Sequence, residues 1–250
     1  MKIIRALLAQ TNRLIGKFLF LLGYQVERRY RNKKCTLPIL DLAIRALLAE
    51  REHIHIVQIG AFDGATSDPI GRWIGHDKIR AVLVEPQPRA YQRLLNRFIA
   101  APNTILVEAA ITDSDGIHSL YIPKDQDCSQ VASLSQGYVH SIVGRVKSIT
   151  VRGITVDSLL RETGTSRVDL LQIDTEGKDY TILQQFFALG FEPIVVNLES
   201  FHLDEKQRAS LYGDLIERGY QYIDYNLDTL AIKAMFLRSL SVVDFASRPQ

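Results

Sequence analysis

The sequence predicts an α/β fold in which a mostly parallel sheet carries helices on both faces and ends in a C-terminal antiparallel hairpin. Short apolar runs alternate through most of the chain with segments whose apolar residues recur at helical spacing. Such alternation is typical of a parallel sheet buried on both faces, because a crossover helix connects each strand to the next. At 250 residues, of which 46% are hydrophobic, the chain suits one domain of this class.

The individual strands follow from apolar runs bounded by turn residues. They are predicted over residues 54–59, 81–84, 104–110, 117–122, 168–173 and 194–198, and the hairpin pairs 220–224 with 229–232. Helices are predicted over residues 38–50, near Trp73, and over 91–98, 155–162, 178–189 and 204–218. Thr155 is the expected N-cap of its helix, and Gly190 and Gly219 are expected to end two others.

Residues 123–147 interrupt this alternation. They are polar, rich in Ser and Gln, and weakly patterned. Long connections without regular structure are uncommon in compact domains and are often functional. We therefore predict a long functional loop or lid in this region.

The first 34 residues form a basic segment with apolar residues at helical spacing. Its longest apolar stretch is far shorter than the ~20 residues that span a bilayer, and no small-residue cleavage site follows it, so we expect neither a spanning helix nor a signal peptide. In the interpretation that we favour, this amphipathic helix packs against the main domain or against a second subunit. The second arrangement would give a homodimer. The other interpretation lays the helix on an anionic membrane surface as a peripheral contact.

Charge and cysteine content exclude two classes of function. Lys plus Arg number 30 and Asp plus Glu 28, a balance that gives no reason to expect a nucleic-acid partner. Cys35 and Cys128 are far apart and belong to no metal-binding pattern. We expect reduced thiols, no zinc site, and a cytoplasmic location that becomes membrane-peripheral if the first segment binds lipid.

Ligands of open α/β sheets bind at the carboxyl ends of the strands, so binding residues are expected after the first two strands. The first strand ends at Gly60, followed by Asp63 and Gly64. Because Phe62 replaces the second glycine, this turn is not the GxGxxG dinucleotide fingerprint. It suits a nucleoside with an amino-acid tail, whose ammonium Asp63 would bind. Glu85 ends the second strand about 25 residues after the first glycine, the spacing of an acid that binds ribose hydroxyls and disfavours a 2′-phosphate.

Ionisable residues also follow the fourth and fifth core strands. Asp174 and Glu176 follow one, and Glu199 and His202 follow the other. The first pair could simply cap the next helix and complement its dipole, and His202 could be a packing residue. In the functional interpretation, Asp174 lies near the reacting group, and Glu199 or His202 accepts a proton from a substrate hydroxyl.

An ordered series of motifs resembles the FkbM-type methyltransferases. The matching stretches are IVQIGAFDGATSDPI (56–70), VLVEPQPRAYQRLLNRF (82–98), ILVEAAITDSDGIHSLYI (105–122), ITVDSLL (154–160), VDLLQIDTEGKDYTIL (168–183), IVVNLESFHL (194–203) and GYQYIDYNLDTLAI (219–232). The resemblance implies a Rossmann-like methyltransferase domain over residues 35–240, followed by a C-terminal tail of 241–250. It also implies S-adenosyl-L-methionine as cofactor and O-methylation of a hydroxyl on a sugar, glycan or natural-product-like small molecule.

Transferred residue by residue, the resemblance implies the residues of the cofactor side, whereas the catalytic side is our hypothesis from the strand ends. The expected cofactor-binding residues are Gly60, Asp63 and Gly64 at the methionine moiety, Glu85 at the ribose, and Ala109 or Ala110 near the adenine. Asp174 or Glu199 would position the acceptor hydroxyl, with His202 as an alternative base. No metal is assigned, although carboxylates from Asp174, Glu176 and Glu199 would suit Mg²⁺.

The chain departs from the family pattern mainly on the substrate side. Phe62 stands where Asn is usual, Gln172 where Lys is usual, and Ser200 where His is usual, while Ala132 replaces one serine of a Ser-Ser-Leu element. These departures keep open a non-catalytic or membrane-associated binding protein that retains the methyltransferase fold. An NAD-dependent oxidoreductase is the other rival, and the missing GxGxxG motif argues against it.

Overall fold

The computed structural model describes residues 39–242, which alternate between helices and strands as the sequence predicts. In chain order the elements are α1 (Ile39–Glu50), β1 (Ile54–Ile59), β2 (Ile79–Val84), α2 (Pro88–Phe98), β3 (Thr104–Val107), β4 (Ala110–Ile111), β5 (Gly116–Pro123), α3 (Gln136–Val143), β6 (Val146–Ile154), α4 (Val156–Thr163), β7 (Leu170–Ile173), α5 (Asp179–Ala188), β8 (Val195–Glu199), α6 (Glu205–Glu217), β9 (Tyr220–Tyr225), β10 (Asp228–Lys233) and α7 (Ala234–Val242).

The main sheet has seven strands in the order β3-β2-β1-β7-β8-β10-β9. Its first five strands are parallel, and β10 runs antiparallel to both of its neighbours. The chain builds outward from β1 through β2 to β3, then returns to the other side of β1 with β7. The junction of β1 and β7 is therefore the topological switch point, where ligands bind in sheets of this class.

Apolar side chains cover both faces of this sheet, which confirms the predicted fold class. Alternate residues of one strand enter different clusters: Val57 joins the cluster under α4, α5 and α6, whereas Ile56 joins the cluster that contains α1 and α2. Strands β1, β7 and β8 are buried on both faces along most of their length, so their apolar residues do not alternate with exposed polar ones. The predicted Thr155 N-cap is also confirmed, since its hydroxyl accepts from the Ser158 N–H.

A second, three-stranded sheet of order β4-β6-β5 was only partly predicted. The strand predicted over 104–110 is confirmed over Thr104–Val107 but wrong beyond it, because the chain leaves the main sheet after Val107 and re-pairs as β4. Strand β6 was missed, although it pairs with β5 along eight residues. Many of its side chains are exposed or half-buried, so it lacks the apolar run that marks the core strands.

The prediction of one long loop over 123–147 is wrong in its central part. Helix α3 occupies Gln136–Val143, begins at the N-cap Ser135 and ends at Gly144, whose φ is +74°. Only Val139 of this helix is fully buried, so the helical apolar pattern is too weak to detect. The residues before α3 do form an irregular segment, and they pass over the carboxyl ends of the strands.

The helix predicted near Trp73 is also wrong. The segment forms successive turns, in which one carboxylate oxygen of Asp68 accepts from the Ile70 and Gly71 N–H groups. Trp73 instead donates its indole N–H to Asp41 of α1, which fixes the turns against the core. Beyond the predicted hairpin, the chain adds one further helix, α7.

The predictions for residues 1–34 and for most of the tail 241–250 fall outside the described residues. Across residues 39–242, no helix has the length and apolar character needed to cross a bilayer.

Candidate functional site

The strand ends around the switch point enclose a cavity of about 290 Å³. Its walls come from the loops after β1, β2, β7 and β8 and from the irregular segment before α3. The lining residues with ionisable side chains are Asp68, Glu85, Asp174, Glu176, Lys178 and Glu199. A concave site with a few polar groups at this position in an α/β sheet is the expected location of a bound nucleoside.

Gly60 makes the junction of β1 and β7 possible. Its φ is +83°, and a Cβ at this position would stand only 1.8 Å from the Asp174 carbonyl oxygen. Only glycine avoids both the strained backbone and that overlap. Gly64, with a φ of +68°, has a similar requirement, because a Cβ there would overlap the side chains of Phe98 and Leu94. Gly60 therefore lines the cavity, whereas Gly64 fixes the loop against α2.

Glu85 lies in the cavity wall with only 2% of its surface exposed. The Phe62 N–H donates to Oε2 at 2.9 Å, and the Gln87 N–H donates to Oε1 at 2.8 Å. Burial raises the pKa of Glu85 to about 7. Each carboxylate oxygen has a second lone pair, so Glu85 can still accept from the two hydroxyls of a ribose.

The other cofactor candidates divide between the cavity and the surface. Ala109 and Ala110 are buried and line the cavity beside Glu85. Asp63 does not line it: its Oδ1 accepts from the Ala65 and Thr66 N–H groups at 2.9 and 2.7 Å, and its Oδ2 accepts from the Thr66 hydroxyl. The Asp63 carboxylate is thus engaged in shaping its own loop.

Asp174 presents a carboxylate to the cavity without a hydrogen bond or ion pair to any residue in 39–242. The side chain is exposed to the cavity, yet protein atoms enclose it on most sides. This partial removal from water raises the pKa of Asp174 to about 7, and the negative charges of Asp179 and Glu176 add to the shift. A carboxylate that is free and titrates near neutral pH is suited to accept a proton.

Glu199 and His202 lie together with Glu176 and Tyr138 in one cluster. His202 Nε2 is 2.9 Å from Glu199 Oε2 and 3.1 Å from Glu176 Oε2. The Tyr138 hydroxyl donates to Glu176 Oε2 and lies 2.8 Å from His202 Nε2. Glu176 and Glu199 line the cavity, whereas His202 and Tyr138 contact them from outside it. The predicted candidate residues therefore meet, with His202 behind the carboxylates.

Burial and like charge decide the protonation of this cluster. Burial, with the charges of Asp174 and Glu176, raises the pKa of Glu199 to about 9. At neutral pH the Glu199 carboxyl is therefore protonated, and it can donate its proton in a hydrogen bond. Burial and a hydrogen bond to Glu176 also raise the pKa of the Tyr138 hydroxyl, so it remains a donor at neutral pH.

The same cluster contains the described residues whose positions could suit a metal ion. One ligand atom from each of Glu176, Glu199 and His202 lies within 4.8 Å of the others. Asp174, which the sequence offered as a magnesium ligand, is not in this group. We assign no metal to it.

An irregular segment, residues 129–135, covers the cavity and is held at both ends. Gln87 and Ser129 exchange two hydrogen bonds: the Ser129 N–H donates to Gln87 Oε1 at 2.8 Å, and Gln87 Nε2 donates to the Ser129 carbonyl at 3.0 Å. At the other end, the Ser133 hydroxyl donates to the Glu176 carbonyl at 2.7 Å. The polar, weakly patterned sequence of residues 123–147 indicated this segment, whereas Gln87 and Tyr138 carried no sequence signal.

The family model described as "Methyltransferase FkbM domain" matches residues 58–225. A comparison with curated proteins finds no match.

Among solved structures, the chain is similar to the FkbM methyltransferase from Methylobacillus flagellatus KT, with 14% identity, a TM-score of 0.47, and coverage of 90% of this chain but 60% of that one. It is also similar to the O-methyltransferase TomG from Streptomyces achromogenes (16% identity, TM-score 0.43, 88% and 89% covered). An O-methyltransferase from Bacillus cereus gives 9% identity and a TM-score of 0.45, with 88% and 90% covered.

The family model covers well over half of the chain and spans the strand ends that form the cavity, from Gln58 to Tyr225. Membership of the family brings S-adenosyl-L-methionine as the methyl donor, and the glycine turn at Gly60 with the acid at Glu85 fits that molecule. The chain belongs to the FkbM methyltransferase domain family.

Proposed function

We propose that this protein transfers the methyl group of S-adenosylmethionine to a hydroxyl on a sugar, glycan or natural-product-like small molecule. The observation that carries the proposal is the unpartnered Asp174 carboxylate, which faces the cavity at the switch point. A hydroxyl is a weak nucleophile until its proton is removed. Asp174 supplies an acceptor for that proton next to the cofactor-binding turn.

The proposed reaction is an in-line displacement. The acceptor oxygen attacks the methyl carbon, an O–CH₃ bond forms as the S–CH₃ bond breaks, and S-adenosylhomocysteine leaves. The hydroxyl proton passes to the Asp174 carboxylate. The enzyme gains rate mainly by aligning the oxygen with the carbon–sulfur bond, and Glu199 would help by hydrogen bonding to the acceptor from the carboxyl end of the neighbouring strand β8.

The polar wall of the cavity supports an acceptor with several hydroxyl groups. Glu176 and Glu199 both line it, and Tyr138 and His202 orient them. Phe201, adjacent to His202 with ring centroids 5.3 Å apart, is 62% exposed. An exposed aromatic ring beside paired carboxyl groups suits a molecule with an apolar face and polar edges, such as a sugar ring.

The proposal is tested by incubating the protein with S-adenosylmethionine carrying a labelled methyl group and with a panel of acceptors. The panel holds hydroxylated sugars, glycans and polyketide-like alcohols, with matched amines and thiols. Label transferred to a hydroxyl acceptor by the wild type, and lost in Asp174→Asn, supports the proposal. Transfer only to amines or thiols contradicts O-methylation, and cofactor binding without any turnover favours the non-catalytic binding protein.

A further inference from the structure

Two large apolar side chains, Phe201 and Leu227, lie exposed in turns at the mouth of the cavity. Phe201 follows β8 and is 62% exposed, and Leu227, in the turn between β9 and β10, is 50% exposed. Single apolar residues are common on protein surfaces, whereas adjoining ones beside a cavity indicate contact with a ligand. We call this pair the apolar rim.

The turn between β9 and β10 does not itself require leucine. Asn226 and Leu227 form a two-residue hairpin loop, in which Asn226 has a φ of +52°. Glycine commonly follows asparagine in loops of this length, because it fits the turn without strain. Leu227 also belongs to none of the buried apolar clusters of the described residues. Its side chain does, however, form part of the cavity wall.

Backbone hydrogen bonds fix the two turns against each other. The N–H groups of Ser200 and Phe201 donate to the Leu227 carbonyl at 2.9 and 3.0 Å. Asp228, the residue after Leu227, lies opposite Glu199 in the sheet. Phe201 and Leu227 are therefore adjacent beyond the end of β8, and their positions do not depend on a bound ligand.

Polarity changes from the inside of the cavity to its mouth. Asp174, Glu176 and Glu199 present carboxyl groups to the cavity, whereas Phe201 and Leu227 present apolar surface to solvent at the rim. An acceptor that is polar throughout would leave this apolar surface in water. An acceptor with an apolar substituent would cover it, which is favourable in proportion to the apolar area buried.

We propose that the apolar rim binds an apolar substituent of the acceptor. The acceptor is then an amphiphile, in which a hydroxyl-bearing ring is joined to an alkyl or aryl group. The inference rests on the proposed function and narrows its range of acceptors. The acceptor is the occupant that fits, because Leu227 belongs both to the cavity wall and to the exposed surface, so that the rim continues the cavity. The rival occupant is the first 34 residues of the chain, whose apolar residues recur at helical spacing.

The test offers the hydroxyl acceptors as matched pairs that differ in one substituent, such as methyl and octyl β-D-glucopyranoside, with the octyl member below its critical micelle concentration. Transfer of a labelled methyl group gives kcat/KM for each member. The rim variants are Phe201→Ser and Leu227→Gly, the second of which keeps the hairpin because Asn-Gly is a favoured loop sequence. The matched control is Ile216→Ser, an exposed apolar residue of α6 that does not line the cavity. Titration with S-adenosylhomocysteine verifies that every protein binds the cofactor product.

We expect kcat/KM of the wild type to be at least about tenfold larger for octyl members than for methyl members, since burial of about two methylene groups supplies that factor. Each rim variant should lower this preference to within about threefold, because its share of the apolar contact is lost. The control should keep the wild-type preference.

Equal kcat/KM for both members of the pairs, or a preference that both rim variants retain, would overturn the inference. Equal values together with melting temperatures that fall in the rim variants but not in Ile216→Ser would assign the rim to the first 34 residues instead. A wild type that binds S-adenosylhomocysteine but methylates neither member of any pair would contradict the proposed function itself, and with it the inference.

Discussion

The Cα of Gly60 lies directly against the carbonyl oxygen of Asp174, so that a Cβ would come within 1.8 Å of it. Because of this contact, the ends of the neighbouring strands β1 and β7 lie close together, and the cofactor turn lies beside the proposed base. Cofactor binding and proton transfer, as proposed, therefore both depend on the absence of a Cβ at residue 60.

Gly60→Ala should destabilise the protein by at least about 2 kcal/mol, because a left-handed backbone conformation is strained for alanine and the methyl overlaps the carbonyl. Thermal unfolding checks this. Gly213→Ala is the matched control: Gly213 lies within α6 and a Cβ there meets nothing within 4 Å, so that variant should be more stable by about 0.5–1 kcal/mol. Equal melting temperatures for wild type and Gly60→Ala would contradict the close approach of residue 60 to the Asp174 carbonyl oxygen.

The pH dependence of methyl transfer should report Asp174. Burial and neighbouring carboxylates raise its pKa to about 7, and a base must be deprotonated to act, so kcat/KM should rise with pH up to that value and then level off. The measurement is kcat/KM for the acceptor between pH 5 and pH 9, the range in which the carboxyl changes charge. Asp174→Asn should lower kcat on the order of 10²-fold or more and remove the acidic limb; an unchanged limb in that variant would assign it to another group.

Tyr138 should act on the acceptor through Glu176. Tyr138→Phe removes a hydroxyl that donates to Glu176 and contacts His202, and the loss of one such hydrogen bond is worth a factor of roughly ten. We expect kcat/KM for the acceptor to fall by about that factor, with affinity for S-adenosylhomocysteine within twofold. Tyr91→Phe, whose hydroxyl points to the Leu106 carbonyl outside the cavity, serves as the control. An equal loss in both variants would indicate general destabilisation.

The covering segment should open when Gln87 is truncated. Gln87→Ala removes both hydrogen bonds to Ser129, which together contribute about 1–3 kcal/mol. Amide hydrogen exchange at Ser129 should accelerate by roughly one to two orders of magnitude. Gln126→Ala, an exposed residue of the same connection, should leave this exchange unchanged. Unaltered exchange in Gln87→Ala would mean that other contacts hold the segment.

The sequence predicts the strands of the core because they are buried on both faces. Strand β1 was predicted with its observed bounds, and Glu85, Asp174 and Glu199 were found because parallel strands bring their carboxyl ends to one edge. The exposed strand β6 and helix α3 bury too little apolar surface to leave a pattern. Their positions are determined by contacts with residues distant in the sequence, which the local spacing of apolar residues does not reveal.

The missed site residues share a second cause, which is separation along the chain. Tyr138 contacts His202 across 64 residues, and Gln87 pairs with Ser129 across 42. Asp63 was chosen because it stands close to the glycine turn, and only the fold shows that its side chain folds back on its own loop while Asp68 lines the cavity.

We expect the cavity to bind S-adenosylmethionine with its ribose on Glu85, and one titration decides whether it does. Wild type and Glu85→Gln are titrated with S-adenosylhomocysteine, and circular dichroism verifies that both are folded. The account predicts micromolar binding by the wild type and at least about tenfold weaker binding by the variant, since a carboxylate that accepts two hydroxyls is replaced by a group with one acceptor. A folded wild type that does not bind, or a variant that binds equally well, would contradict it.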